Sequence, residues 1–126
     1  MNINLILYVG DQARSREFYA IALGMAPRLD VPGMTEFELG PGCVLGLMPE
    51  KGIKHLLPGM PDPQSGSGIP RAEVYLTVPD PAVYHARALA AGARELSPLA
   101  SRDWGDKAAY SLDPDGHVLA FAAPSK

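Results

Sequence analysis

The sequence predicts an α+β domain built from two tandem βαβββ modules. Three observations predict it. Leu7-Tyr8-Val9-Gly10-Asp11 returns 69 positions later as Leu76-Thr77-Val78-Pro79-Asp80, and self-similarity at a fixed spacing marks a repeated structural unit. Each copy is a short alternating run that ends in an aspartate suited to cap a helix. Each helix pattern then stops at a glycine, Gly24 in the first copy and Gly92 in the second, and three short strand candidates follow.

In the first module, Ile3, Leu5, Leu7 and Val9 fall on one strand face and Asn4, Ile6 and Tyr8 on the other, because side chains alternate along a strand. A helix is expected over 12–23, burying Phe18, Ile21, Ala22 and Leu23. Strands are expected at about 26–31, 34–39 and 43–48. In the second module, Val74, Leu76 and Val78 oppose Glu73, Tyr75 and Thr77. Pro81 suits the first helical position, where its missing N–H costs nothing, and the alanine-rich helix runs to about Ala91. Strands are expected at about 94–98, 107–112 and 117–122. Asp113-Pro114-Asp115-Gly116 joins the last two as a turn, with proline in its second position and a glycine free to take positive φ.

The whole of 1–126 reads as one domain: module one at about 1–50, a linker at about 51–70 and module two at about 71–126. The stretch from Pro49 to Pro70 holds five prolines, four glycines and two serines, so it reads as a linker with a single helical turn near 53–57. Segments of this length are uncommon in small domains and tend to be functional or flexible.

Composition limits the partners. Hydrophobic residues make up 47% and charged residues 20%, the balance of an ordinary globular protein. A net charge of −3 gives no basic face for nucleic acid. No apolar run reaches the roughly 20 residues of a membrane span, so no membrane partner is expected. Nor is a signal peptide expected, since nothing basic precedes the first apolar stretch. Cys43 is the single cysteine, which leaves no internal disulfide. Cytoplasmic residence is the expectation.

The segments Tyr8-Val9-Gly10-Asp11, Ser15-Arg16-Glu17-Phe18-Tyr19 with Leu23-Gly24, and Asp113-Pro114-Asp115-Gly116-His117, taken with the repeat, resemble the glyoxalase/bleomycin resistance/dioxygenase superfamily, the vicinal oxygen chelate proteins. The resemblance spans essentially the whole chain. It implies paired modules curled into a half-open, eight-stranded, barrel-like sheet. Its enzymes hold a divalent metal there as a Lewis acid for vicinal substrate oxygens, with ligands on the first and last strands of each module. The matching positions here are Asn4, Gly46, Glu73 and Ala120. Gly46 and Ala120 have no donor atom, and one amide with one carboxylate falls short of a zinc site. No metal and no cofactor are expected, and the two small residues suggest free volume inside. The repeat alone already makes Asn4 and Glu73 equivalent, 69 positions apart.

The expected ligand-binding residues are Asn4, Tyr8, Met48, Glu73, Tyr75, Arg102, Trp104 and Tyr110. Tyrosines and a methionine suit a largely apolar pocket, and Trp104 could stack on a planar ligand; core filling or closure of the barrel edge is the plainer alternative. Glu73 is the best candidate for a catalytic base or for a ligand anchor, against a solvated carboxylate at the barrel mouth. His55, His85 and His117 read as surface or structural residues, His85 on a solvated helix face. Cys43 reads as a small packed residue rather than a nucleophile.

The expected function is therefore a metal-free protein of the bleomycin-resistance type that sequesters a small organic molecule. The alternatives are an enzyme on the same scaffold with a non-standard or absent metal site, and an interaction domain with a filled barrel. A homodimer is expected, because two half-closed sheets leave edges and apolar surface to cover.

Overall fold

A computed structural model describes residues 1–126. Module one runs β1 (Ile3–Val9), α1 (Gln12–Leu23), β2 (Leu29–Val31), β3 (Met34–Gly40) and β4 (Cys43–Pro49). The linker contains α2 (Glu50–Leu56) and a 3₁₀ turn (Pro63–Gly66). Module two runs β5 (Glu73–Thr77), α3 (Pro81–Ala90), β6 (Arg94–Ser101), β7 (Asp106–Leu112) and β8 (Val118–Pro124). The fold is thus α+β with tandem βαβββ modules, as the repeat predicts. No helix is long and apolar enough to cross a membrane.

The helix boundaries follow from local chemistry. Asp11 and Asp80 cap α1 and α3, accepting from the Arg14 and Val83 backbone N–H groups. Gly24 ends α1 at φ 67°, and its N–H reaches back to carbonyls of the last turn, a conformation that side chains with a Cβ adopt only at a cost.

The strands form two four-stranded sheets, ordered β1-β4-β3-β2 and β5-β8-β7-β6. The first strand of each module pairs in parallel with the last, and the hairpin pairs are antiparallel. The two sheets are not closed on each other. Each helix packs on its own sheet, and α1 packs on α3. One core cluster therefore draws on both modules, including Phe18 and Tyr19 of α1, Phe37 and Leu47 of the first sheet, Ala88 of α3 and Phe121 of the second sheet. Both sheets turn their helix-facing sides to this shared core and their other faces away from it.

Two expectations fail at the residue level. Ile21 is 43% exposed, whereas Tyr19 is fully buried. Positions 15, 18, 19, 22 and 23 make the buried stripe of α1, and position 21 lies off it at 100° per residue. His85 is not on a solvated face. It is buried in line with Pro81 and Ala88, and its Nε2 lies 2.9 Å from Glu95 on β6.

Candidate functional site

The expected site residues fall into two groups on different sheets. On the second sheet, Tyr75 of β5 and Tyr110 of β7 flank Ala120 of β8 in register. This face points away from the core, because side chains alternate and Val74, Leu119 and Phe121 point into it. Arg102 and Trp104 come from the β6–β7 loop, which Gly105 turns at φ 95°. Trp104 Nε1 donates to the Tyr75 hydroxyl at 2.9 Å, and that hydroxyl donates to Asp106 at 2.6 Å. Arg102 lies over the Tyr110 ring, 5.1 Å from its centroid, and donates to the Ala108 carbonyl and the Ser97 hydroxyl. Tyr75, Arg102, Trp104 and Tyr110 thus form one braced aromatic surface, and Trp104 remains 58% exposed. Partial desolvation, and then the hydrogen bond to Asp106, raise the Tyr75 phenol above its ordinary pKa, against the opposing donation from Trp104. It stays a neutral donor. Glu73 lies two residues before Tyr75 on the same strand face and is exposed.

Asn4, Tyr8 and Met48 lie on the first sheet. Tyr8 and Met48 are register partners across β1 and β4. Asn4 is exposed at the far end of β1. The chain does not bring these three together with the aromatic surface of the second sheet.

A cluster that the sequence reading passed over joins the modules. The Asp113–Gly116 turn reaches α1 of the other module. Asp115 accepts from the Gly10 N–H at 2.8 Å and from the Ser15 hydroxyl at 3.0 Å. Tyr19, fully buried, donates to Asp113 at 2.6 Å. His117 Nδ1 lies 2.9 Å from the same Asp113 oxygen, while the other Asp113 oxygen accepts the backbone N–H groups of Asp115 and His117. The side-chain donor atoms of Asp113, Asp115 and His117 lie within 4.8 Å of one another, but protein donors already engage both carboxylates. The cluster is an inter-module clamp. Burial alone would lower the His117 pKa, but the Asp113 carboxylate outweighs it and the net shift is upward. Burial alone would raise the Asp113 carboxyl, but hydrogen bonds from His117 and Tyr19 bring it below its ordinary value. Sequence offered one signal for the clamp: its members sit in the two most motif-like stretches, 8–19 and 113–117.

The largest cavity, about 610 Å³, lies between the end of β1, the linker and this turn. Of the expected site residues only Tyr8 lines it; Glu50, Arg71 and His117 share its wall.

The family model for the glyoxalase/bleomycin resistance protein/dioxygenase superfamily matches residues 3–121. The chain belongs to that superfamily. Superfamily folds recur among solved structures. A glyoxalase-related enzyme from Fulvimarina pelagi is 24% identical with a TM-score of 0.83, covering 98% of this chain and 87% of its own. A glyoxalase/bleomycin resistance protein/dioxygenase from Nocardioides is 27% identical with a TM-score of 0.77, covering 98% and 83%. A family enzyme from Burkholderia phytofirmans is 16% identical with a TM-score of 0.78, covering 96% of each chain. No curated protein matches the chain.

The superfamily's metal does not fit the matching positions here. A Cβ at Gly46 would meet Ile6 Cδ1 at 2.6 Å and Met34 Sδ at 3.3 Å. Hydrocarbon and thioether therefore fill the place of a ligand side chain. Ala120 is fully buried between its tyrosine neighbours. Asn4 and Glu73 are exposed on separate sheets. The expectation that Gly46 and Ala120 leave open volume is corrected at Gly46, where the neighbouring side chains have moved into the space.

Proposed function

We propose that this superfamily member is a metal-free binding protein for a small organic molecule, with the outward faces of its sheets as the binding surface. The braced aromatic surface of Tyr75, Trp104 and Tyr110 carries this reading. Flat rings held in place, Tyr75 and Trp104 by hydrogen bonds and Tyr110 by the Arg102 guanidinium over it, lose little entropy when a planar ligand stacks on them. Asp106 and Glu73 border that surface and favour a ligand bearing a cation or hydrogen-bond donor. Asn4, Tyr8 and Met48 of a second copy would supply the facing wall in a homodimer. The similar structures bear names that include enzymes as well as resistance proteins, so the choice rests on the donor-poor ligand positions. A cytoplasmic location fits the single free cysteine.

Trp104 is the sole tryptophan, so its fluorescence reports this surface alone. Titration with planar aromatic cations should give saturable quenching. Glu73→Gln should weaken cationic ligands by about 1–3 kcal/mol, and neutral ones less. Elemental analysis of the purified protein should find no stoichiometric transition metal. Ligand affinity indifferent to both Trp104→Ala and Glu73→Gln, or one equivalent of metal lost on Glu73→Ala, would refute the reading.

A further inference from the structure

The linker cavity brings together four polar, solvent-accessible side-chain groups. Most of the chain's charged side chains near the clamp are already engaged: Arg14 pairs with Asp115, and Asp62 caps the 3₁₀ turn. In the cavity wall, however, the Tyr8 hydroxyl, the Glu50 carboxylate, the Arg71 guanidinium and His117 Nε2 line one space. None of the four makes a hydrogen bond or ion pair within the chain. His117 is not free to turn away. Asp113 holds its Nδ1 edge, which leaves Nε2 on the opposite edge of the ring as its available atom.

The linker side of this half-open cavity lies against the module-two turn. Gly116 in the turn and Gly68 in the linker approach so closely that a Cβ on Gly116 would lie 3.1 Å from Gly68 Cα. The half-open space beside it is lined by residues of both modules, among them apolar Ile6, Met60 and Ile69. Its volume falls within the range of small-molecule sites, roughly 300–1,000 Å³.

We infer that this cavity is a second ligand site, which takes a small zwitterion bearing a carboxylate and an ammonium group. Both signs of charge line it. Arg71 and His117 suit a carboxylate, while Glu50, with Asp62 beside it in the wall, suits an ammonium. A simple anion would leave Glu50 facing it, and a simple cation would leave Arg71 facing it. The apolar wall accommodates a short hydrocarbon part between the two charged ends. Of the residues in the proposed binding surface the site shares only Tyr8, and it does not require the aromatic surface on the second sheet to bind anything.

Proton–carbon NMR of the imidazole groups tests this. The chain has three histidines, and His117→Asn assigns the relevant signal. The probes are glycylglycine, acetate and methylammonium at neutral pH. Glycylglycine should shift the His117 signal saturably in the millimolar range, leave the His85 signal in place and leave Trp104 fluorescence unchanged. Acetate and methylammonium should each bind about tenfold or more weakly, the loss of one charge-assisted partner. Arg71→Gln should weaken glycylglycine and acetate together. Glu50→Gln should weaken glycylglycine and tighten acetate, because the repelling carboxylate is gone. Both side chains lack intramolecular partners, so the variants should keep the wild-type circular dichroism and Tm. Absence of a saturable His117 shift with glycylglycine overturns the inference. So does equal binding of acetate and glycylglycine, or a glycylglycine shift that both variants preserve.

Discussion

Single residues hold the modules together through one buried carboxylate. Asp113 takes hydrogen bonds from Tyr19 of the other module and from His117, and an unpaired buried carboxylate is costly. Tyr19→Phe should lower stability by about 1.5–3 kcal/mol, the usual loss for a hydrogen bond to a charged group, measured by urea unfolding. The clamp also sets a pH window. His117 is raised in the fold, so its contribution is full below the ordinary histidine pKa of about 6.5 and fades as pH rises through its higher folded value. Asp113 is lowered, so its contribution is full above the ordinary aspartate value of about 3.8 and fades as pH falls through its lower folded value. The Tm difference between wild type and His117→Asn should therefore be largest between these two pH values and shrink in alkali. A difference that widens between about pH 7 and 9 contradicts the assignment.

At the scale of elements, the helices were the most legible part of the sequence, because their ends are set by local chemistry. Asp11, Asp80 and Gly24 act where short-range rules place them. Gly24→Ala should cost about 1–2 kcal/mol, since φ is 67° and Arg87 of α3 occupies the space a Cβ would enter. A Tm equal to wild type would show that the cap tolerates relaxation. Strand ends were less legible. β2 spans Leu29–Val31 against an expected 26–31, and β6 extends to Ser101 rather than 98. Strand length depends on the partner available for pairing, which adjacent residues do not encode. The linker helix also begins earlier than expected, at Glu50 directly after β4.

For the whole molecule, the consequence of the shared core is a pair of sheets whose other faces look outward. Leu29 and Trp104 stay exposed in one chain, as do Ile3 and Leu5 at the end of the core-facing row of β1, and β1 and β5 are edge strands. Unpaired edges and exposed apolar side chains favour association. Light scattering at micromolar concentration should give the mass of a dimer. A monomer mass throughout that range would leave the two groups of expected site residues without a common cavity.

The sequence by itself determined the repeat, the module pattern, the helix caps, the Asp113–Gly116 turn and the poverty of the inherited ligand positions. All of these depend on residues close in the chain or on the chemistry of single side chains. Tertiary structure decided what lies beside what. It brought Trp104, Tyr75, Arg102 and Tyr110 into one surface but set Asn4, Tyr8 and Met48 on another sheet. It buried His85, which a polar side chain had suggested was solvated, and it filled the space at Gly46 with Ile6. It also turned His117 from a residue after a turn into part of a clamp in which Tyr19 reaches Asp113, 94 positions away in the chain. Such contacts arise from the packing of one module on the other, and no local pattern of residues specifies that packing.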